Sequence, residues 1–340
     1  MMTLLRKHPM ASAAGVALLL LLTLPGASFV YEMGGGESCA RCHEIAANHE
    51  SWRVSTHKEV PCTSCHGDAL TLDPDFHLGN LRRIAVHFFG ELPERIHLRP
   101  RDVFAITARC GTCHAQEYRE WTAGGHRATY AAIFTRPGHN HARPLMDDCL
   151  RCHGMHQPGD IASVVTPVSA NGPWTLSGAP ADAPAIPCLT CHAMHVDASN
   201  AKGGFFRQAA SDEATPTQAH PGKVRPSLAI YDRRTQQHVS ARYLPIPAMR
   251  QGSTAVQVTA TAQNALCYQC HAPYANLQVG TNDDKTPLGA YEGMACLDCH
   301  QRHTLKSKYD CSAFHRHPES CLDRIPPTAV RASHAHESRR

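Results

Sequence analysis

The chain has 340 residues, with 33 Lys and Arg against 29 Asp and Glu, for a formal net charge of +4. So small a basic balance gives no support to a nucleic-acid partner. Only 6% of residues are aromatic, while glycines number 23 and prolines 24, so the side chains alone can bury little and some other apolar mass must complete the interior.

In chain order, residues 1–9 carry Arg6 and Lys7, and 10–30 is an uncharged run of 21 residues. That length spans a bilayer, and the basic flank orients it amino-end inside, so 1–32 is expected to be a retained membrane anchor. A processed signal peptide is the competing reading, because Pro25-Gly26-Ala27-Ser28 resembles a cleavage region. Next comes CARCH (39–43), then CTSCH (62–66). The same Cys-x-x-Cys-His unit returns at 110–114, 149–153, 188–192, 267–271 and 296–300, seven copies in all.

This unit is the signature of covalent haem attachment. Two thiols three residues apart reach the two vinyl groups of one porphyrin, and the adjacent histidine supplies an axial nitrogen to the iron. Zinc sites need two cysteine pairs per metal and give no reason for a histidine after each pair. Disulfides between thiols this close would staple nothing. The thioether cysteines are therefore Cys39, Cys42, Cys62, Cys65, Cys110, Cys113, Cys149, Cys152, Cys188, Cys191, Cys267, Cys270, Cys296 and Cys299. The proximal ligands are His43, His66, His114, His153, His192, His271 and His300. With two propionates per haem and an iron–porphyrin core of +1 or 0, seven haems move the balance from +4 to −3 oxidised and −10 reduced. Thioether formation takes place outside the cytoplasmic membrane, so a periplasmic location is expected.

The fold expected is mainly α with extensive irregular loops, a multihaem cytochrome c wrapped around a haem stack with little or no sheet. Residues 33–157 read as a four-haem domain. Within it, HLGNLRRIAVHFF (77–89) places Leu78, Leu81, Ile84, Ala85 and Phe88 at helical spacing. The stretch 91–101 reads as a loop, and 117–133 as helix broken at Gly124-Gly125. Pro, Ala, Gly and Ser without periodicity mark 158–187 as a linker. A three-haem module follows at 188–310, with a haem-poor insert at 197–262 that reads first as a surface loop and second as cover for a haem face or a partner site. Residues 311–340 form a tail.

A second axial ligand closes an iron to substrate, and 18 histidines remain after the seven proximal ones. His156, His195 and His303 each fall three residues after a proximal histidine, on the same helical face. They cannot bind the same iron from the same side, so each is expected to reach a neighbouring haem. His57 and His126 each follow a tryptophan by five positions, with Trp52 and Trp121 placed to pack on a porphyrin edge. His87 on the expected helix is the sixth candidate, and His139 or His141 the seventh. Met146, Met155 and Met194 read as packing residues. CSAFH (311–315) keeps the motif frame with Phe314 for the second cysteine. It reads first as inert, or with Cys311 paired to Cys321, and second as an eighth haem site with His315 proximal.

CARCH, SWRVSTHKEVPCTSCHGD, HFFGELPE, CGTCH and CLRCHGMH, in that order over residues 10–156, resemble the NapC/NirT/NrfH family. The resemblance implies a membrane-anchored tetrahaem quinol dehydrogenase that passes electrons to a periplasmic reductase or further cytochrome. The chain departs from that family after His43, where a methionine commonly follows; here Glu44, His49 and His57 are the candidates to take its place. The function expected is electron transfer from the membrane quinol pool or an anchored redox partner. The alternatives are a reductase of nitrogen or sulfur oxyanions with one open haem, and a soluble periplasmic shuttle. No catalytic residue is assigned, and a carrier is favoured over a catalyst.

Overall fold

The computed structural model describes residues 31–68, 74–90, 97–178, 180–195, 227–244, 246, 249–251, 253–256, 259–271, 294–306 and 308, with six scattered positions before 31. The fold is mainly helical, as expected. Among the described residues the only sheets are three antiparallel two-stranded pairs. The chain divides into two compact units, residues 1–98 and 99–340.

The first unit opens with a tight turn at Glu37–Arg41 and continues through α1 (His43–Arg53), α2 (Cys62–His66) and α3 (Pro74–Phe89). Gly36 sits at φ +87°, and a Cβ there would stand 2.9 Å from Cys62 Cβ. Only glycine lets the segment before the first motif press so closely on the second. The helix expected at 77–89 is α3, which starts on Pro74 and stops at Gly90, whose N–H bonds Val86 O at 2.9 Å. Its apolar stripe faces outward: Leu78, Leu81, Ile84 and Phe88 are all more than half exposed.

The second unit begins with α4 (Pro100–Cys113) and α5 (Ala115–Thr122). Proline at the first turn of α4 and the Arg99–Asp102 ion pair at 2.9 Å start that helix inside what reads as a loop. The break at Gly124-Gly125 is present. A 3-10 turn at Gly125–Arg127 leads into α6 (Tyr130–Phe134), capped by the Thr129 hydroxyl, and α7 (Pro137–Asn140) follows. A Cβ at Gly124 would stand 2.5 Å from Thr304 O, so the break lets two distant segments lie back to back.

Residues 158–187, expected as a linker, are packed instead. Ile161, Val164, Val165, Trp174, Ala183 and Ala185 join Tyr130, Phe134, Leu145 and Leu150 in one buried core. They come singly from a 3-10 turn, the pair β1 (Val165–Thr166) and β2 (Thr175–Leu176), and bends. No helical or strand period marks them for that reason.

The insert also differs from a surface loop where it is described. β3 (Ala229–Asp232) and β4 (Gln237–Ser240) form a hairpin, and β5 (Met249–Gln251) pairs with β6 (Thr254–Val256). Ile230, Val239, Ala241 and Leu244 are buried with Met155 and with Ala262 and Ala265 of α8 (Ala262–His271). A last short helix, α9, spans Cys296–Cys299.

The expected transmembrane helix is corrected. Among the described residues no helix is long and apolar enough to cross a membrane. Most of 10–30 lies outside the described residues, as do 196–226 and the tail with Cys311, His315 and Cys321.

Candidate haem sites

The cysteine motifs adopt one local geometry wherever the turn is complete. The N–H of His114, His153, His192 and His300 bonds back to the carbonyl of Cys110, Cys149, Cys188 and Cys296 at 2.8 to 3.0 Å. One such i to i−4 turn carries both cysteines and the histidine around a single face. In α2 and α8 the second and sixth motifs are themselves helix. The first motif departs: the 3-10 turn ends at Arg41 and His43 starts α1, so the unit is split between two elements.

None of the thirteen described cysteine side chains is in a disulfide. They meet across motifs instead. Cys110 lies close enough to Cys188, Cys152 to Cys270, and Cys267 to Cys296 for the two thiols of each pair to perturb one another. The contact, then burial, raises Cys110, Cys270 and Cys267, while the contact lowers Cys188, Cys152 and Cys296 against the opposing effect of burial. Motifs three and five, four and six, and six and seven are therefore immediate neighbours. α4 supports this by packing Val103 and Ile106 on Leu189 of the fifth motif. Buried Asn264 of α8 accepts the Cys296 N–H at 3.1 Å and donates to Thr259 O at 3.0 Å, tying the seventh motif to the sixth.

Among the described residues, three proximal histidines lie beside a candidate distal histidine. His271 stands 6.1 Å from His126 between ring centroids, with planes 25° apart. His192 stands 6.5 Å from His303, at 32°. His43 stands 5.7 Å from His87, at 52°. In the last case a carboxylate intervenes, with Glu44 Oε1 2.5 Å from His87 Nδ1 and 3.4 Å from His43 Nε2. Among the described residues these three form the one cluster with metal-ligand spacing. A hydrogen bond to its own backbone N–H, against the opposing effect of burial and with help from His87, holds Glu44 below the usual carboxylate range.

The other sequence-named histidines are placed as follows. His156 stacks on Tyr231 at 4.1 Å and lies 3.4 Å from the Thr190 hydroxyl. Burial, then His238, holds its pKa down to about 3, so it is the neutral imidazole a metal takes. Burial, then His271 and His153, does the same to His126, held down to about 4. His195 is half-buried and acts electrostatically on His238. His57 takes a backbone N–H bond to Ser55 Oγ at 3.0 Å. His139 bonds Asn140 at 3.1 Å; His141 bonds Ala170 O at 2.8 Å and meets Trp174 edge-on. His66, His114 and His153 are exposed. Trp52 and Trp121 donate to Val60 O and Ile186 O, at 3.1 and 3.2 Å.

His238 is a site residue that no motif or spacing in the sequence marks. From β4 its Nε2 donates to Leu189 O at 2.6 Å, inside the fifth motif, and its ring meets Tyr231 edge-on. The hairpin holds that motif by backbone as well: Ala193 N–H bonds Ser227 O and Ala229 N–H bonds Cys191 O. No spacing in the chain announces this contact, because hairpin and motif meet only in the fold.

The residues fit haem c. Each complete turn offers two thiols and an imidazole on one side. The exposed stripe of α3 flanks the His43–His87 pair and is the kind of surface a porphyrin covers. A cleft of about 520 Å³ opens beside Cys62, lined among others by Met33, Trp52 and Pro61, within the range of roughly 300–1,000 Å³ usual for cofactor sites.

Fold and sites together define a multihaem c-type cytochrome, an electron-transfer protein carrying haem c. Residues 230–301, which hold β3, β4, α8 and the sixth and seventh motifs, match the family model described as cytochrome c554 and c-prime. Comparison with curated proteins gave no match, and comparison with solved structures gave none. The matched stretch lies outside 10–156, where the NapC/NirT/NrfH resemblance rests on motif order and spacing.

Proposed function

We propose that this cytochrome holds seven haems c on the periplasmic side of the cytoplasmic membrane and relays electrons through them. The donor is the quinol pool or a redox partner reduced by it, and the acceptor is a periplasmic reductase or another cytochrome. Each bound haem supplies a one-electron ferric–ferrous couple. The chain's own part is to fix the motifs against one another and to close the irons with a second imidazole. The observation that carries this reading is the pairwise closeness of the cysteines of motifs three and five, four and six, and six and seven, together with the packing of α4 on the fifth motif, which brings neighbouring haem sites side by side. Half-buried His126 and His156, held neutral, supply the kind of ligand that closes an iron.

EPR of the oxidised protein, with haem content measured as the pyridine haemochrome, tests it. The expected result is seven haems per chain, all low-spin. A high-spin ferric signal worth one haem would replace the carrier by a multihaem oxidoreductase acting on a nitrogen or sulfur oxyanion. The Glu44 carboxylate between His43 and His87 marks the first motif as the place for that second reading.

A further inference from the structure

The distal ligands come from parts of the chain far from the irons they serve, so the pairing has to be read from the fold. When two imidazoles bind one metal from opposite sides, with each nitrogen about 2 Å from the ion, their ring centroids stand about 6 Å apart. Among the ring contacts of the described residues in the second unit, two with that spacing join a motif histidine to one outside the motifs. They are His271 with His126 at 6.1 Å and His192 with His303 at 6.5 Å. Rings in van der Waals stacking, such as His156 on Tyr231 at 4.1 Å, leave no room for an ion.

A second observation agrees. Gly124, two residues before His126, lies against the backbone of Thr304, one residue after His303, with a Cβ at Gly124 only 2.5 Å from Thr304 O. The distal histidines therefore come from adjoining segments. The proximal ends adjoin too, because Cys191 of the fifth motif acts electrostatically on Cys267 and Cys270 of the sixth. Two neighbouring sites need neighbours at both ends.

We propose that His271 and His126 are the two axial ligands of one haem iron and His192 and His303 those of the adjacent one, with Glu120 positioning His303. This rests on the reading of the motifs as haem c sites. Glu120 Oε2 lies 3.5 Å from His303 Nδ1, and its other oxygen accepts from Gln116 Nε2 at 3.0 Å. A carboxylate on Nδ1 fixes the tautomer, leaves Nε2 for the metal and makes the ring a stronger donor. The electron-rich ligand favours ferric over ferrous iron, so Glu120 lowers the potential of that haem. The sixth motif then sits at a junction, touching the fourth through Cys152–Cys270 and the seventh through Cys267–Cys296.

The test uses the full holoprotein. In H126M and in H303M, near-infrared magnetic circular dichroism should show one haem leaving the bis-histidine class for histidine–methionine or high-spin, with the others unchanged. Adding H126M to an H271A background should alter no further haem, because both histidines serve one iron. A second altered haem would overturn the pairing and assign His126 to another motif, with His153 the nearest candidate. The same logic applies to H303M in an H192A background. In E120Q a single haem transition should move to higher potential with haem content unchanged; unmoved transitions would remove Glu120 from its role.

If these variants fail to accumulate, EPR of the unaltered protein decides. Ring planes 25° and 32° apart predict rhombic low-spin signals from at least two haems. Only the large-gmax signals of crossed planes would overturn the pairing. A protein without covalent haem would instead overturn the cofactor reading beneath it.

Discussion

Asn264 is the side chain that joins the sixth and seventh motifs, and its replacement has a calculable cost. It is fully buried on α8, accepts the backbone N–H of Cys296 at 3.1 Å and donates to Thr259 O at 3.0 Å. N264A leaves one backbone donor and one carbonyl without these partners. A buried polar group stripped of its partner costs about 1–3 kcal/mol. Two such groups give an expected loss of about 2–6 kcal/mol. N264D keeps the acceptor for Cys296 but sets a buried carboxylate oxygen against Thr259 O, so at neutral pH it should cost at least as much as N264A. The assay is guanidinium unfolding of the holoprotein, where the midpoint should fall while the slope stays constant. A loss under about 0.5 kcal/mol for N264A would mean that other contacts hold the two motifs together.

Trp121 is buried and bonds Ile186 O, so W121A should cost about 3–5 kcal/mol in the same assay and W121F much less; equal losses would show that packing is not what the indole contributes. His238 donates to Leu189 O inside the fifth motif, so H238A should cost about 1–3 kcal/mol while leaving the haem count intact. A chain made without haem attachment should lose most of its helical circular dichroism, since folding and cofactor binding are linked; native-like helix in that material would contradict the account of the interior.

Local chemistry was legible in the sequence and distant contacts were not. Seven motifs, α3 and the break at Gly124-Gly125 are each written within a few residues, and the mainly helical fold with little sheet follows from them. The core role of Ile161, Val165 and Trp174 was hidden because these side chains sit on turns and two-residue strands, which leave no period to find. The match of the haem-poor insert to the fifth motif was hidden for another reason: β3 and β4 reach Leu189 and Cys191 only after the chain has folded back. Distal histidines could be nominated by spacing, yet their partners depend on that same folding back. Of Glu44, His49 and His57, the candidates for the place of the missing methionine, Glu44 forms a cluster with His43 and His87 that brings residues 43 positions apart together.

Coulometric reduction of the purified protein counts electrons per chain without assuming a partner. Seven haem c sites predict uptake of seven electrons per chain, with no change in that number when carbon monoxide is present. An uptake below seven, or carbon monoxide binding by any of the irons, would contradict a chain of closed haems built to pass electrons on.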